Sequence, residues 1–571
     1  MKKKLLCVLL AAVMMLSLLA ACAQDTAPAN GEDAEQTQDA TPSPDATTPD
    51  DPDDPTEPED PADRFAERIS IELATTNVFE GYDYLAGDPY AVWFADEFNI
   101  ETTFINMPFD VWISNLRLWA TMGEMPEVAV WDYMGAGHNE GAALVEQGLL
   151  RRLPDDWQQR WPYLAASHQS SGLGPRLDEV FDGTYFLPRP RFHFNFLGDP
   201  LPNHESLLVR RDWFEAVGMP IRPYYTINEM MEAARLILEQ DPGELGDMLL
   251  PITANTGRAA QLFVRSNFAH WDTFYRGPDG TYRWGAANER TREGLMLWYE
   301  AYSTGLLDLE FYLHPGLFDR ELLSVAGRAG IVLEAAGTHN VPRRFYTYGN
   351  NFPDRDPHED VMLATLLGTD GNYHQRCLIN MWGAFMFSPR ITDAQLERVL
   401  DILDWLASPE GNTVSNMGVY GVDWERDANG DIVSLLGDDE ILMGAPDGDN
   451  VRNPSMGNVF WMPILQDDFQ LGNPNLAQVY RDISAELYAN RVAMSTSESF
   501  PVANWDLLFF DSDNMRNAAP VASAGGLSET FAHMVITATS MENFIQMYED
   551  WMEQQMHLVQ PVLDELNEML G

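Results

Sequence analysis

Alternating stretches of apolar and polar residues divide the first part of the chain into predicted strands and helices. Residues 69–73 alternate apolar and polar side chains, as a half-buried strand does. Residues 111–122 carry apolar side chains at helical spacing and end at Gly123, and residues 127–131 again favour a strand. A strand, a helix and a second strand over this distance predict a parallel α/β unit.

The same alternation continues through the middle of the chain. Residues 205–210 predict a strand, and residues 213–217 predict a helix after it. Thr226 and Glu229 have the spacing of a capping box, in which a hydroxyl and a carboxylate satisfy the first amides of a helix. Residues 329–333 form a short apolar run that is typical of a buried strand.

The last third of the chain is predicted to be mainly helical. Apolar residues recur at helical spacing through residues 396–406 and stop before Pro409. Residues 543–555 and 562–570 are predicted as two helices separated near Pro561, because proline lacks the amide hydrogen that a helix interior uses.

The polar segment Asp427-Ala-Asn-Gly-Asp431 invites comparison with a calcium loop. An EF-hand loop, however, places its glycine and its last acid at other positions. Asn-Gly is a strong signal for a tight hairpin turn. We therefore predict a hairpin turn here rather than a calcium site.

The N-terminus combines an export signal with a candidate lipidation site. Three lysines precede an apolar run from residue 5 to residue 21, which is too short to favour a membrane-spanning helix. Leu19-Ala-Ala-Cys22 resembles the bacterial lipobox, whose cysteine carries the lipid. Residues 1–21 are therefore predicted to be a lipoprotein signal peptide, and an ordinary secretory signal is the alternative. Lipidation of Cys22 predicts anchoring at the extracellular face of the cell membrane.

Residues 22–63 are predicted to be a disordered acidic tether. From Ala23 to Asp63 the chain has fourteen acidic residues, eight prolines and no basic residue. Such a segment has too little apolar surface to offset the entropy of folding, and its charge and prolines extend it. Behind a lipidation site it is typical of a spacer, and a terminus without a role is the alternative.

The remaining part, residues 64–571, is long and strongly acidic. Its 508 residues suffice for two large lobes or three ordinary domains. All three lysines lie before residue 5, so this part carries 74 acidic residues against 32 arginines, a formal charge of −42. Such a charge repels nucleic acid, which is therefore not an expected partner. Without lysine, a Walker A loop and a lysine Schiff base are both excluded.

The three cysteines leave no intramolecular disulfide in the mature chain. Cys7 belongs to the predicted signal peptide and Cys22 carries the predicted lipid, so Cys377 stands alone. Cys377 lies in an apolar run and is predicted to be a small buried hydrophobic residue.

Several blocks of the sequence, in this order, resemble the extracellular solute-binding proteins (family 1 type) of ABC transporters. They lie at Trp119–Val128, Asp182–Pro188, Leu208–Gly218 with Thr226–Glu229, Asp279–Tyr282 with Tyr299–Asp308, and Leu403–Gly411 with Gly418–Val422. Behind a lipobox, they are most similar to the long lipoprotein subgroup associated with oligosaccharide uptake. The chain departs from the family in lacking its usual lysines and its longer polar loop near Asp241, so the resemblance carries over no metal site.

The resemblance implies an α/β fold of the two-lobed periplasmic-binding-protein type (type II), with mixed sheets flanked by helices and a hinge of several crossovers. We estimate the crossings near residues 195–207, 365–376 and 440–460. The implied N-lobe comprises residues 64–200 and 369–445, and the implied C-lobe comprises residues 201–368 and 446–571. The family's mode of action implies a monomer that captures a carbohydrate between the lobes and delivers it to the permease subunits of an ABC transporter.

A cleft for sugars needs aromatic rings that stack on C–H faces and polar groups that bind hydroxyls. Ligands of open α/β sheets bind at the carboxyl ends of strands, so residues there are the candidates. The predicted ligand-binding residues are Asn77, Phe79, Trp131, Asp132, Arg189, Arg191, Glu334, Trp382 and Trp461. Trp298 and Trp405 lie on helix faces and are assigned to the core.

Four of these candidates carry charge, which suggests specific roles. Asp132 or Glu334 would accept paired hydrogen bonds from sugar hydroxyls. Arg189 and Arg191 would hold a carboxylate, which would suit a uronate-bearing oligosaccharide. Surface or interlobe salt bridges are the alternative for the two arginines.

A secreted carbohydrate-active lipoprotein enzyme, either a glycoside hydrolase or a lyase, is the alternative function. Glycoside cleavage needs two carboxyl groups about 5–10 Å apart, and a chain this acidic contains such pairs by chance. The sequence has neither a His-Glu-x-x-His helix nor a Gly-x-Ser-x-Gly elbow. A surface adhesin would show repeats or β-rich modules, which are also missing. We therefore predict a binding protein that is not an enzyme and has no cofactor.

Overall fold

The structure, a computed structural model, describes residues 65–75, 78, 82–108, 111–131, 138–189, 205–314, 322–336, 340–375, 383–437, 440, 442, 451–458, 474–501 and 504–570. The predicted signal peptide 1–21, the lipidation site Cys22, the tether 22–63 and Cys377 lie outside these residues.

Short strands form the sheets of the molecule. In chain order, those in the described residues are β1 Ile69–Thr75, β2 Ile100–Asn106, β3 Val128–Trp131, β4 Phe186–Pro188, β5 Glu205–Arg210, β6 Tyr224–Thr226, β7 Leu250–Ile252, β8 Phe274–Arg276, β9 Tyr282–Trp284, β10 Ala329–Ala335, β11 Val361–Leu367, β12 Ala384–Phe387, β13 Trp424–Arg426 and β14 Ile432–Ser434.

Helices occupy most of the remaining described chain. The α-helices are Tyr84–Gly87, Pro89–Glu97, Trp112–Met122, His138–Glu146, Trp157–Arg160, Pro162–Ser170, Leu173–Phe181, Arg211–Ala216, Ile227–Gln240, Thr256–Ala260, Glu289–Ser303, Asn340–Asn351, Pro357–Asp360, Asp393–Ala407, Pro409–Met417, Gln478–Ala493, Trp505–Leu508, Asp513–Ala518, Ala524–Thr537 and Met541–Met569. A π-helical turn spans Gln261–Arg265. Single 3₁₀ turns occupy Gly246–Met248, Gly285–Ala287, Phe311–Leu313, Pro454–Asn458 and Ala519–Val521.

The first large sheet is mixed and has the strand order β2-β1-β3-β12-β4. β1 pairs in parallel with β2 and β3, and β12 runs antiparallel to β3 and β4. The parallel pairing of β1 with β3 confirms the α/β unit predicted at the start of the chain.

The second large sheet is also mixed and has the order β6-β11-β5-β10-β7. β5 lies at its centre and runs antiparallel to both neighbours, β10 and β11. β6 and β7 lie at its two edges and pair in parallel with β11 and β10. Two mixed sheets with flanking helices confirm the predicted fold class.

Each of these sheets has a hydrophobic core of its own. Around the first sheet, Leu73 and Val128 are buried together with Leu400 of the helix Asp393–Ala407. Around the second, Val209 packs in a separate cluster with Trp298, which is fully buried as predicted. Burying one such side chain contributes about 1.5–3 kcal/mol, so each core stabilises the sheet and helices around it.

The chain passes from one lobe to the other at matching ends of the two sheets. β4 ends at Pro188 and β5 begins at Glu205, while β11 ends at Leu367 and β12 begins at Ala384. Trp131, at the end of β3, lies opposite Ala384. We call the sheet margins that contain these residues the connecting edges. The predicted lobe boundaries stay predictions, since residues 190–204, 376–382 and 459–473 lie outside the described residues.

A short segment, residues 505–510, contacts both cores. Trp505 and Phe509 pack against the core of the first sheet, and Leu507 and Phe510 pack against that of the second. The ring of Trp505 comes so close to Gly172 that a side chain there would meet it at 3.2 Å. This segment therefore ties the two lobes together.

Two local predictions are confirmed by hydrogen bonds. Glu229 N donates to Thr226 Oγ1 at 3.3 Å and Thr226 N donates to Glu229 Oε2 at 2.9 Å, which completes the capping box. The Asn-Gly segment turns the hairpin between β13 and β14, where Asn429 N donates to Asp427 Oδ1 at 2.8 Å.

The predicted break near Pro561 is wrong. A single helix runs through Met541–Met569 with Pro561 inside it. A proline in a helix interior costs about 3 kcal/mol. Val559 and Val562, on either side of it, are fully buried in the core of the second sheet, and this burial offsets the loss.

Candidate functional site

The connecting edge of the first sheet gathers the carboxyl ends of its parallel strands. Met107 N donates to Thr75 O at 2.9 Å, which holds the ends of β1 and β2 together. Arg189 follows β4, and its backbone N donates to Gly383 O at 3.0 Å beside the start of β12. The Arg189 side chain is buried, with its guanidinium carbon 5.6 Å from the centre of the Phe385 ring. Ligands of open α/β sheets bind at edges of this kind.

A cavity of about 490 Å³ lies beside β2, the outermost strand of the same sheet. Its lining mixes aromatic rings with polar side chains and includes Val78, Tyr82, Asp83, Tyr84, Phe94, Thr103, Phe104 and Asn106. The Tyr84 ring packs edge-on against Tyr82 at 4.9 Å and Phe104 at 5.4 Å between ring centres. Burial raises the pKa of Tyr82, so its hydroxyl stays neutral and can donate a hydrogen bond. Rings with neutral hydroxyls suit a sugar.

Three arginines surround Glu205 at the connecting edge of the second sheet. The guanidinium of Arg258 binds Glu205 Oε1, and that of Arg265 binds Oε2. Arg258 Nη1 also donates to Gln261 Oε1 at 2.9 Å. The side chains of Arg258 and Arg265 are 22% and 13% exposed, so both border solvent. We call Arg258, Arg265 and Arg491 the arginine cluster.

Arg491 completes the cluster from the helix Gln478–Ala493 and is 4% exposed. Its Nη2 donates to Glu205 O at 3.2 Å and to Ser206 Oγ at 2.5 Å. Its buried Nε–H has no acceptor, and no carboxylate of the described residues pairs with its guanidinium. Burial lowers the pKa of Arg491, although Tyr373 and Glu205 act in the opposite direction. A buried cation without a carboxylate partner is unfavourable, so a further negative charge beside Arg491 would be stabilising.

Glu334, a predicted ligand-binding residue, is held by an arginine of its own lobe. Arg344 Nη2 lies 2.9 Å from Glu334 Oε2, and both side chains are 5% exposed. Glu334 stands opposite Ser206 across the β10–β5 pair, so this ion pair is close to the arginine cluster along the sheet.

The structure describes three of the nine predicted ligand-binding residues. Trp131 ends β3 and Arg189 follows β4 at the connecting edge of the first sheet, where β12 lies between these two strands, whereas Glu334 belongs to the second sheet. The other six, which are Asn77, Phe79, Asp132, Arg191, Trp382 and Trp461, lie outside the described residues. The ligand-binding roles of all nine stay predictions.

Sequence reasoning missed the arginine cluster and Tyr82. Arg258 and Arg265 belong to a helical stretch, and Arg491 lies 286 residues along the chain from Glu205, whose backbone it contacts. No local motif joins them. The available signal was the scarcity of cations in an acidic chain, which makes each buried arginine informative.

The assignment of Trp405 to the core is confirmed only in part, because Trp405 lies at the margin of the core around the first sheet. It is half-buried, with its ring 5.6 Å from Trp93 and 5.3 Å from Phe98 between centres.

The described residues contain no group of three or more His, Cys, Asp or Glu side chains arranged to hold a metal ion. In the same part of the chain, none of the helices combines the length and apolar character needed to cross a bilayer.

Several solved structures of binding proteins have a similar fold. The S. pneumoniae substrate binding protein FusA, an EF-hand mutant in complex with fructo-nystose, is 16% identical with a TM-score of 0.61, covering 87% of this chain and 98% of its own. The alginate-binding protein AlgQ2, solved without calcium ion, is 13% identical with a TM-score of 0.60, covering 88% and 98%. NgtS from Streptococcus pneumoniae, an N-glycan transport solute binding protein in complex with Man1GlcNAc, is 13% identical with a TM-score of 0.53, covering 88% and 98%.

At these identities the likeness shows the fold, and it extends over nearly the whole length of each relative. The two-lobed solute-binding fold predicted from the sequence blocks is therefore confirmed. No protein-family model and no curated protein matches the chain.

Proposed function

We propose that the protein is a membrane-anchored extracellular solute-binding protein that captures an oligosaccharide between its lobes and delivers it to the permease of an ABC transporter. The observation that carries this proposal is the shared fold. It covers 98% of FusA, which was solved in complex with fructo-nystose, and 98% of NgtS, which was solved with Man1GlcNAc.

The geometry of the first lobe supports a carbohydrate ligand. The cavity beside β2 offers the rings of Tyr82 and Phe104 together with the amide of Asn106, a combination that binds sugar faces and hydroxyls. The chain crosses between the lobes at the connecting edges, so lobe closure would enclose a ligand bound between those edges. The nine residues predicted from the sequence are proposed as further contacts.

The anchoring and the mode of action complete the proposal. Cys22 carries the lipid, residues 22–63 hold the lobes away from the membrane, and the sugar leaves the protein chemically unchanged. The solved relatives named above are binding proteins rather than enzymes, which supports a role without catalysis.

Calorimetry with an oligosaccharide panel tests this function. The full chain, purified from membranes in mild detergent, is titrated with kestose, Man5GlcNAc and uronate trimers. We expect binding of one sugar class at one site per chain, and thermal stabilisation of about 2.7 kcal/mol at a ligand concentration of 100 Kd. Chromatography of the recovered sugar should show it intact.

Four results would contradict parts of the proposal. Progressive appearance of shorter sugars would establish an enzyme, and absence of binding to the whole panel would remove the carbohydrate ligand. An N-terminal peptide that lacks the mass of a lipid, or a Cys22→Ala variant that stays on the membrane, would remove the anchor.

A further inference from the structure

The arginine cluster has a charge opposite to that of the surrounding protein. Residues 64–571 carry a formal charge of −42. At the start of β5, however, Arg258 and Arg265 both bind the carboxylate of Glu205, and Arg491 donates to the backbone oxygen of the same residue. The cluster therefore holds two positive charges in excess of its own carboxylate. An anion would be attracted to this position and repelled by most of the remaining surface.

Two hydrogen-bond donors of the cluster have no acceptor among the described residues. Glu205 shares its two carboxylate oxygens between Arg258 and Arg265. The Nε–H groups of Arg265 and Arg491 are buried and have no acceptor. A guanidinium binds a carboxylate through two parallel N–H groups, so donors of this type call for a second carboxylate.

The position of the cluster is that of a ligand site. Glu205 begins β5 at the connecting edge of the second sheet, where the chain arrives from the first lobe. Arg258 and Arg265 keep 22% and 13% of their side-chain surface exposed, which leaves them within reach of a bound molecule. Arg491 lies beneath them and adds its charge from the buried side.

From these observations we propose that the arginine cluster binds a carboxylate of the ligand and that the oligosaccharide contains uronic acid. This inference rests on the proposed function, since it names the chemical class of the sugar that occupies the site. Arg258 and Arg265 orient the carboxylate, and Arg491 stabilises the pair of carboxylates formed by Glu205 and the ligand.

A matched pair of ligands tests the inference on the full chain. Calorimetric titrations compare uronate trimers with the same trimers after methyl esterification, which keeps the sugar skeleton and removes the charge; kestose serves as an unrelated neutral sugar. We expect a uronate trimer to bind at least tenfold more tightly than its ester. Its affinity should also fall as salt increases, because screening weakens charge pairing.

Variants separate recognition from stability. Arg265→Gln should weaken uronate binding at least tenfold. Arg265→Lys keeps the charge but loses the paired N–H groups of the guanidinium, and it should weaken uronate binding less. Arg276→Gln, which changes an exposed arginine of the β8–β9 hairpin, serves as the control and should bind as the wild type does. Circular dichroism spectra of all variants verify that they are folded.

The outcomes distinguish this inference from the proposed function. Tight binding of a neutral sugar, with uronates bound weakly or equally well as esters, would overturn the acidic ligand and leave the binding function standing. An Arg265→Gln variant that loses stability but keeps its uronate affinity would make the cluster purely structural. If neither neutral nor acidic sugars bind, both proposals fail.

Discussion

Replacing Glu334 by Gln tests whether this residue stabilises its lobe or faces the ligand. The substitution keeps the shape of the side chain and removes the charge that lies 2.9 Å from Arg344 Nη2. Both side chains are 5% exposed, so water cannot compensate for the lost carboxylate. We therefore expect a large loss of stability, whether or not Glu334 also contacts the ligand.

The size of the effect follows from the geometry of the pair. Two unit charges 2.9 Å apart attract each other by about 6 kcal/mol at an effective dielectric constant of about 20. Removing each charge from water costs several kcal/mol, so the intact pair contributes little net stability. Removing the Glu334 charge takes this carboxylate away from a desolvated guanidinium, and we expect a loss of about 3–5 kcal/mol in the free energy of unfolding.

Urea unfolding, followed by far-UV circular dichroism at pH 7, measures this loss from the shift of the midpoint at a common slope. Glu549→Gln is the matched control, because Glu549 pairs with Arg292 at 3.2 Å while 53% of its side chain is exposed. Exposed pairs contribute about 0–1 kcal/mol, so this variant should unfold close to the wild type. The double variant Glu334→Met with Arg344→Met should recover part of the loss, because it leaves no charge buried.

A Glu334→Gln variant as stable as the Glu549→Gln control would refute the reasoning. If that variant also lost affinity for the sugar, Glu334 would face the ligand, as the sequence predicts. A double variant less stable than the single one would show that the net contribution of the pair is large.

Two further predictions concern pH and packing. Burial would raise the pKa of Asp370, but hydrogen bonds from Asn372 help to lower that pKa to about 2. The ionised carboxylate of Asp370 therefore stabilises the fold fully above the ordinary pKa of 3.8. This stabilisation is lost as the pH falls from 3.8 to about 2. Asp370→Asn should therefore be less stable than the wild type by about 1–2 kcal/mol at pH 6, after allowance for partial exposure, and this difference in urea midpoints should shrink towards pH 2; a constant difference would contradict it. Gly294→Ala should lower stability by about 1–3 kcal/mol in the same assay, because its methyl group would lie 2.5 Å from a backbone oxygen of the adjoining π-helical turn. Gly525→Ala, in open space, should change stability by less than about 1 kcal/mol, and equal losses for both would disprove the packing argument.

Local physics made much of the fold predictable. The capping box of Thr226 and Glu229 and the Asn-Gly hairpin depend on residues within a few positions of each other, and both are present. Alternation of apolar residues identified β1 and a short apolar run identified β10, because each strand buries side chains against a core. The error at Pro561 arose where tertiary packing of neighbouring valines outweighs a local preference.

The amino-acid sequence by itself determined the α/β class and the resemblance to solute-binding proteins, and it predicts the export signal, the lipidation site and the acidic tether. These depend on composition and on short-range periodicity. Only the tertiary structure brought Arg258, Arg265 and Arg491 to Glu205, across sequence separations of 53, 60 and 286 residues. It also decided that Glu334 pairs with Arg344. The physical reason is that charges separated this widely meet only after the sheets have paired and the helices have packed, so their partners cannot be inferred from spacing along the chain.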